Sequence, residues 1–204
     1  KHNVILQAAC PEIAKKLGNT LCAPIIKFVP EGNIEPPSGA MLFPGSISLR
    51  AETYHMLLDD IASSLKQSGF KNIIFIGDSG GNQKGMEIVA KKLNQRWSGS
   101  GVLAHYIPEY YNPGWEETER FTKEVLGVEE TSNDGHHDDI WVTAMMMVTD
   151  PEQVRHQQRI DAGLASINGV DITPIGETTE LGRKMLEFRA EFTADAIRKA
   201  TQSS

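Results

Sequence analysis

Residues 72–97 constrain the fold more than any other stretch. The apolar run NIIFI passes directly into the turn GDSGGN, which leads into the amphipathic segment QKGMEIVAKKLNQRW. A short apolar run reads as a buried strand, and an amphipathic segment of this length reads as a helix with one face on a core. The glycines between them permit the tight turn that such a junction needs. The same order recurs on either side. Upstream, FPGSISL reads as extended, and AETYHMLLDDIASSLKQSGF begins a helix whose Leu57, Leu58, Ile61 and Leu65 form an apolar stripe that Gly69 closes. Downstream, GVLAHYIPEYY reads as a further strand. Alternation of this kind implies parallel strands joined by right-handed crossovers, hence an α/β fold with a mostly parallel sheet and helices on both faces.

The remainder of the chain fits around that unit. Val4, Leu6, Ala9, Ile13 and Leu17 recur at helical spacing and Gly18 follows them, so a helix is expected over residues 3–17. LCAPIIKF reads as a buried strand, and VPEGNIEPPSGA, with Pro30, Pro36 and Pro37, as a surface loop long enough to suggest a functional role. GWEETERFTKEVLG and DDIWVTAMMMV predict two more helices, the second apolar nearly all round and therefore buried, with Met145, Met146 and Met147 as packing residues. Residues 151–174 look irregular, and ETTELGRKMLEFRAEFTADAIRKA predicts a long closing helix.

At 204 residues the chain suits one domain over residues 1–204. Its formal charge of −7 and its scattered Lys and Arg exclude the basic stripe of a nucleic-acid binder. No apolar run approaches the roughly 20 residues that cross a bilayer, so a soluble protein with no membrane partner is expected. Cys10 and Cys22 read as two buried thiols. The first residues, KHNVIL, lack an initiator Met and a signal peptide, which reads as a processed or truncated chain and leaves cytoplasmic and exported locations open.

Three readings compete for GDSGGN. Chymotrypsin-like proteases carry GDSGG around their nucleophile, but on two β-barrels with the His and Asp upstream, which an α/β pattern excludes. The nucleophile elbow of α/β-hydrolases, G-x-S-x-G between a strand and a helix, would make Ser79 catalytic and needs a downstream acid and His. His105, His136, His137 and His156 are the downstream candidates. The third reading uses more of the chain.

FPGSISLRAETYHMLLDDIASSLKQSGFKNIIFIGDSGGNQ resembles the creatininase (creatinine amidohydrolase) family, whose members carry FPGT-I-S-L, a helix beginning near an ET pair, GFKNI before the strand, and a GHGGN loop. HDDIWVTAMMM is similar to the family's HAG-x-x-ETS-x-ML. The resemblance implies a three-layer α/β/α sandwich with a mostly parallel central sheet. It also implies a pair of divalent metals, zinc or manganese, that activate water for attack on a small amide or cyclic amide. Oligomers, commonly hexamers, are implied as well.

Several ligand positions differ from the family's. The upstream E-x-H-G-P-H-x-P-L segment, with its strand, is expected to be absent here. Ser79 stands where the loop His should be, Gly81 where some members have a Glu ligand, and Val142 at the Glu of ETS. The resemblance puts His2 at the bridging Asp position, so His2, Asp78 and Asp138 are the candidate metal donors. His137 is the candidate proton shuttle to the leaving nitrogen, with Ser79 beside it as a catalytic candidate. Gly80, Gly81, Asn82, Tyr111 and Trp115 are the candidate substrate-binding residues, the aromatics as a wall for a small planar substrate. Tyr110, Tyr111 and Trp115 read equally as core, and Asp138 and Asp139 equally as caps of a helix.

The expected function is therefore a metal-dependent amidohydrolase with a weakened or altered metal site. The alternatives are a serine hydrolase using Ser79 and a non-catalytic oligomeric binding protein on the same fold.

Overall fold

A computed structural model describes residues 1–132 and 138–202. Among these residues the fold is mixed α/β and 59% helical. It packs as two compact units, one of Lys1–Ile25 with Asn112–Asp195 and one of Ile26–Tyr111 with the residues after Asp195.

In the second unit, α2 (Ala51–Gln67), β1 (Asn72–Phe75), α3 (Gly80–Arg96) and β2 (Leu103–Tyr106) follow one another as the sequence pattern predicts. The two strands pair in parallel, Asn72 opposite Leu103 through Phe75 opposite Tyr106, with α3 as the crossover. Tyr54, Leu58, Ile73, Phe75, Met86, Val89, Leu93 and Trp97 close a core between the helices and the strands. Asn94 ties α3 to β2, its side chain accepting from Ala104 N and donating to Ala104 O, both at 2.8 Å. The helix therefore has a fixed register on the sheet, and the turn between β1 and α3 has a fixed position.

In the first unit, α1 (His2–Leu17) buries Ile5, Leu6, Ala9, Ile13 and Ala14 and ends at Gly18, whose φ of 81° suits glycine. α4 (Gly114–Glu124), α5 (Ile140–Thr149) and α6 (His156–Asp161) follow, then a hairpin of β3 (Ser166–Ile167) and β4 (Val170–Asp171). α7 (Ile175–Gln202) closes the chain. Every residue of α5 from Ile140 to Met147 is buried, so the three methionines are packing residues. α7 crosses α5 so closely that a Cβ on Gly182 would lie 2.1 Å from Ala144 O.

Three expectations need correction. LCAPIIKF and FPGSISL form no strand; the backbone hydrogen bond that ties FPGSISL to the chain just after LCAPIIKF is Leu49 N to Val29 O at 3.2 Å, and a strand needs a continuous ladder. Residues 151–174 are not irregular, because they hold α6 and the β3–β4 hairpin, turned by Asn168 (φ 47°) and Gly169 (φ 88°). Asn-Gly with both residues at positive φ is the favoured two-residue hairpin turn. Cys10 and Cys22 are half-buried, and they form a disulfide with Cα atoms 5.7 Å apart. Among the described residues the sheets are small, with β1 and β2 paired in parallel and β3 and β4 antiparallel.

No described helix is long and apolar enough to cross a membrane.

Candidate active site

The GDSGGN loop leaves β1 and becomes the N-terminus of α3, with Ser79 as its N-cap. Ser79 Oγ accepts from Gly81 N at 3.4 Å, and its hydroxyl donates to Glu31 Oε1 at 2.8 Å. The loop is bound underneath by Gln83, whose Nε2 lies 3.0 Å from Gly77 O, 2.8 Å from Ser79 O and 2.7 Å from Asn82 Oδ1. Tyr106 on β2 holds Gln83 in turn, its hydroxyl donating to Gln83 Oε1 at 2.9 Å.

Three glycines sit in crowded positions here, Gly81 against backbone and Gly77 and Gly80 against side chains. A Cβ on Gly77 would sit 2.6 Å from Asn82 Nδ2, and one on Gly81 would sit 1.8 Å from Pro30 O. A Cβ on Gly80 would lie 3.2 Å from Tyr111 Oη, so Tyr111 overhangs the loop. The backbone of residues 30–32 thus lies directly against Gly81, as a strap. Ser48 fixes it: its buried hydroxyl accepts from Glu31 N at 2.9 Å and donates to Gly32 O at 2.7 Å. FPGSISL therefore contributes a tether, Ser48 to Glu31 to Ser79.

Beside the strap lies a cavity of about 610 Å³. Its wall is formed by Pro30, residues 32–35, residues 49–52 leading into α2, and Gly81. Of the expected substrate-binding residues, Gly81 is on that wall; Gly80, Asn82 and Tyr111 shape the loop behind it. Asn82 is 5% exposed, and its carbonyl oxygen is the one that meets Gln83.

The other expected residues are distributed as follows. Asp78 belongs to the loop but is only 1% exposed and already engaged. His2, at the start of α1, stacks on Trp115 of α4 at 5.4 Å and 17°. Trp115 meets Trp141 edge-on at 5.3 Å, and the guanidinium of the fully buried Arg189 lies 5.5 Å from the Trp141 ring. Trp115 is thus part of an aromatic cluster within the first unit. Asp138 is half-buried, with its main-chain O accepting from Thr143 Oγ1 at 3.1 Å. His137 and His136 lie outside the described residues.

Asp139 stands at the N-cap of α5, as the cap reading expects, but makes no side-chain cap bond; Glu130 supplies the acceptor, its Oε1 accepting from Ile140 N at 2.9 Å and from Asn168 Nδ2 at 2.8 Å. Burial holds the Glu130 carboxyl above its usual pKa, against the opposing pull of those two bonds.

Two further histidines are occupied structurally. His105 on β2 shares a hydrogen bond with Asn72 Oδ1 at 2.9 Å, and burial pushes its pKa down. His156 bonds to Ile172 O at 2.8 Å.

Among the described residues no group of three or more His, Cys, Asp or Glu stands together so as to hold a metal ion. At the loop, the family's imidazole position carries a hydroxyl already committed to Glu31. The described donors therefore do not fit a divalent centre, and no step is derived through one. Glu31, Ser48 and Gln83 went unread in the sequence. The helical first turn gave a faint sign of Gln83, whereas Glu31 meets Ser79 across 48 residues with no local signal.

A glycine-rich loop that leaves a parallel strand, caps a helix and borders a cavity defines an α/β protein with its site at the carboxyl end of the strand, where such folds bind ligands. The sequence model of the creatininase family, described as creatinine amidohydrolase, matches residues 1–197, and the chain belongs to that family. Membership supports an amidohydrolase-like function, and the family is generally metal-dependent. No curated protein matches the chain.

Proposed function

We propose that this protein hydrolyses the C–N bond of a small amide or cyclic amide in the cavity beside the GDSGGN loop. The observation that carries the reading is the family match over residues 1–197, whose loop places Gly81 on the wall of a cavity large enough for such a substrate. The strap, held by Ser48, keeps that wall formed before substrate arrives. His137 is proposed as the donor of a proton to the leaving nitrogen. The family's three-layer sandwich and assembly into a homo-oligomer belong to the same proposal, and the part of a zinc or manganese ion is read by the metal test, since His2, Asp78 and Asp138 form no metal-holding group among the described residues.

The test is hydrolysis of a panel of small amides and lactams by the full chain, with and without added zinc or manganese, beside metal analysis of the purified protein. Turnover that His137→Ala abolishes is the expected result. No turnover under any of these conditions, and no rise in melting temperature with either metal, would sink the enzyme reading.

A second reading, a binding protein without chemistry on the same fold, is favoured by one observation: the hydroxyl at the ligand position is engaged with Glu31. It predicts ligand binding with no turnover.

A further inference from the structure

The cavity carries charges of both signs. Arg50 stands at the N-cap of α2, Glu52 lies in its first turn and Glu35 follows the strap, all three on the cavity wall and all three exposed. None of them is ion-paired among the described residues. Elsewhere in the same unit the helices do pair their charges, Lys84 and Lys91 with Glu87 at 2.9 and 2.5 Å and Arg96 with Asp59 at 2.6 Å. A guanidinium and two carboxylates that share one concave wall without meeting are set apart by a gap. A molecule with the complementary order of charges would close it.

We propose that the cavity binds a small zwitterion, with a carboxylate on Arg50 and a cationic nitrogen on Glu35 or Glu52. This rests on the cavity being the substrate site and narrows the substrate class to amides that carry both charges. The guanidinium is suited to the carboxylate, since it offers parallel N–H donors that match the two oxygens. A cationic nitrogen brings N–H donors to the glutamates, which only accept. Exposed pairs of this kind are each weak and screened by salt, so the selectivity comes from both charges acting together and is read at low ionic strength. Ile34 and Leu49 on the same wall give the carbon skeleton between the charges an apolar surface. The wall is also rigid where it must be, because Ser48 bonds both Glu31 N and Gly32 O next to the charged residues.

Four probes of nearly one size separate the charges: glycylglycine, with both; N-acetylglycine, the anion; glycinamide, the cation; and N-acetylglycinamide, neutral. Binding of each to the full chain is measured by titration calorimetry at neutral pH and low salt. The expected order puts glycylglycine first, at least about tenfold tighter than the neutral probe, with the two singly charged probes between.

In Arg50→Gln the preference of N-acetylglycine over the neutral probe disappears while that of glycinamide survives. The double variant Glu35→Gln, Glu52→Gln gives the converse. Both variants should keep the native melting temperature, since the three side chains are exposed and unpaired. Equal binding of all four probes, no binding of any, or an order that neither variant changes would overturn the proposal. So would a preference carried by one sign of charge alone, which would leave a simple anion or cation site.

These readouts need no turnover. A charge order without amide hydrolysis removes the enzyme reading and keeps the zwitterion site; hydrolysis without a charge order does the reverse.

Discussion

Gly81 is the residue on which the candidate site depends most directly. Its missing side chain lets the strap's Pro30 carbonyl lie where a Cβ would be, 1.8 Å away. The obstacle is backbone, which cannot swing aside like the end of a long side chain. Gly81→Ala should therefore destabilise the fold by about 1–3 kcal/mol, the usual cost of overpacking. Denaturant unfolding reads this, and a loss under about 0.5 kcal/mol, the level of a neutral surface change, would mean that the strap does not lie there. Ser79→Ala should cost about 1 kcal/mol, since it removes a helix cap and the donor to Glu31. Glu31→Gln keeps an acceptor for that hydroxyl and should stay within about 0.5 kcal/mol of the parent. A fluorophosphonate should not label Ser79, because its hydroxyl donates to a carboxylate and, among the described residues, hydrogen-bonds to no imidazole that could take the proton. Covalent labelling in the folded state would restore the serine-hydrolase alternative. The serine, the glycines and Asn82 were legible in the sequence as a turn. The partner of that turn was not, because contact across 48 residues depends on where a proline-rich loop settles.

Elements with a strong period were legible and those defined by a single contact were not. β1, α2, α3 and α5 follow from apolar runs and stripes that local physics reads directly. LCAPIIKF and FPGSISL have strand composition, yet a strand exists only through a neighbour, and the bond from Leu49 N to Val29 O makes no ladder. The Asn168–Gly169 turn was a readable signal passed over among polar residues. The Cys10–Cys22 disulfide closes a loop across a sequence separation of 12, and loops of that size gain about 2–3 kcal/mol from the cross-link. Cys22→Ser should lower unfolding free energy by that amount, and the unreduced parent, once denatured, should show no reactive thiol.

Glu130 gives α5 a pH signature. Its folded pKa is raised, so the fold favours the protonated carboxyl. The stabilisation is full below the ordinary glutamate pKa and is lost as pH climbs through the raised one. Glu130→Gln keeps the oxygen that accepts from Ile140 N and removes the titration. The variant should gain stability relative to the parent as pH goes from about 4 to 7, and a difference flat over that range would contradict the assignment.

At the scale of the whole molecule, the family match extends over residues 1–197 and so takes in both compact units, but the surface of the second unit is not that of a finished object. Phe28, Leu42, Phe43, Ile47 and Met56 are between 51% and 70% exposed, all between residues 28 and 56, from just before the strap into the first turns of α2. Single exposed apolar residues are ordinary on a monomer, whereas several large ones drawn from one stretch mark a surface that another surface covers. A second copy of the chain is the proposed cover, consistent with the expected homo-oligomer, and a net charge of −7 does not oppose it while the contact itself is apolar. Sedimentation of the full chain should show an assembly larger than a monomer. Leu42→Glu with Phe43→Glu should shift it to monomer with the melting temperature of the isolated chain preserved, since both residues are exposed and a charge there meets only water. Because these residues adjoin the strap that forms the cavity wall, dissociation should also weaken binding of glycylglycine several-fold. A monomeric parent at concentrations near 100 μM would remove the assembly proposal and leave the apolar surface to a different partner.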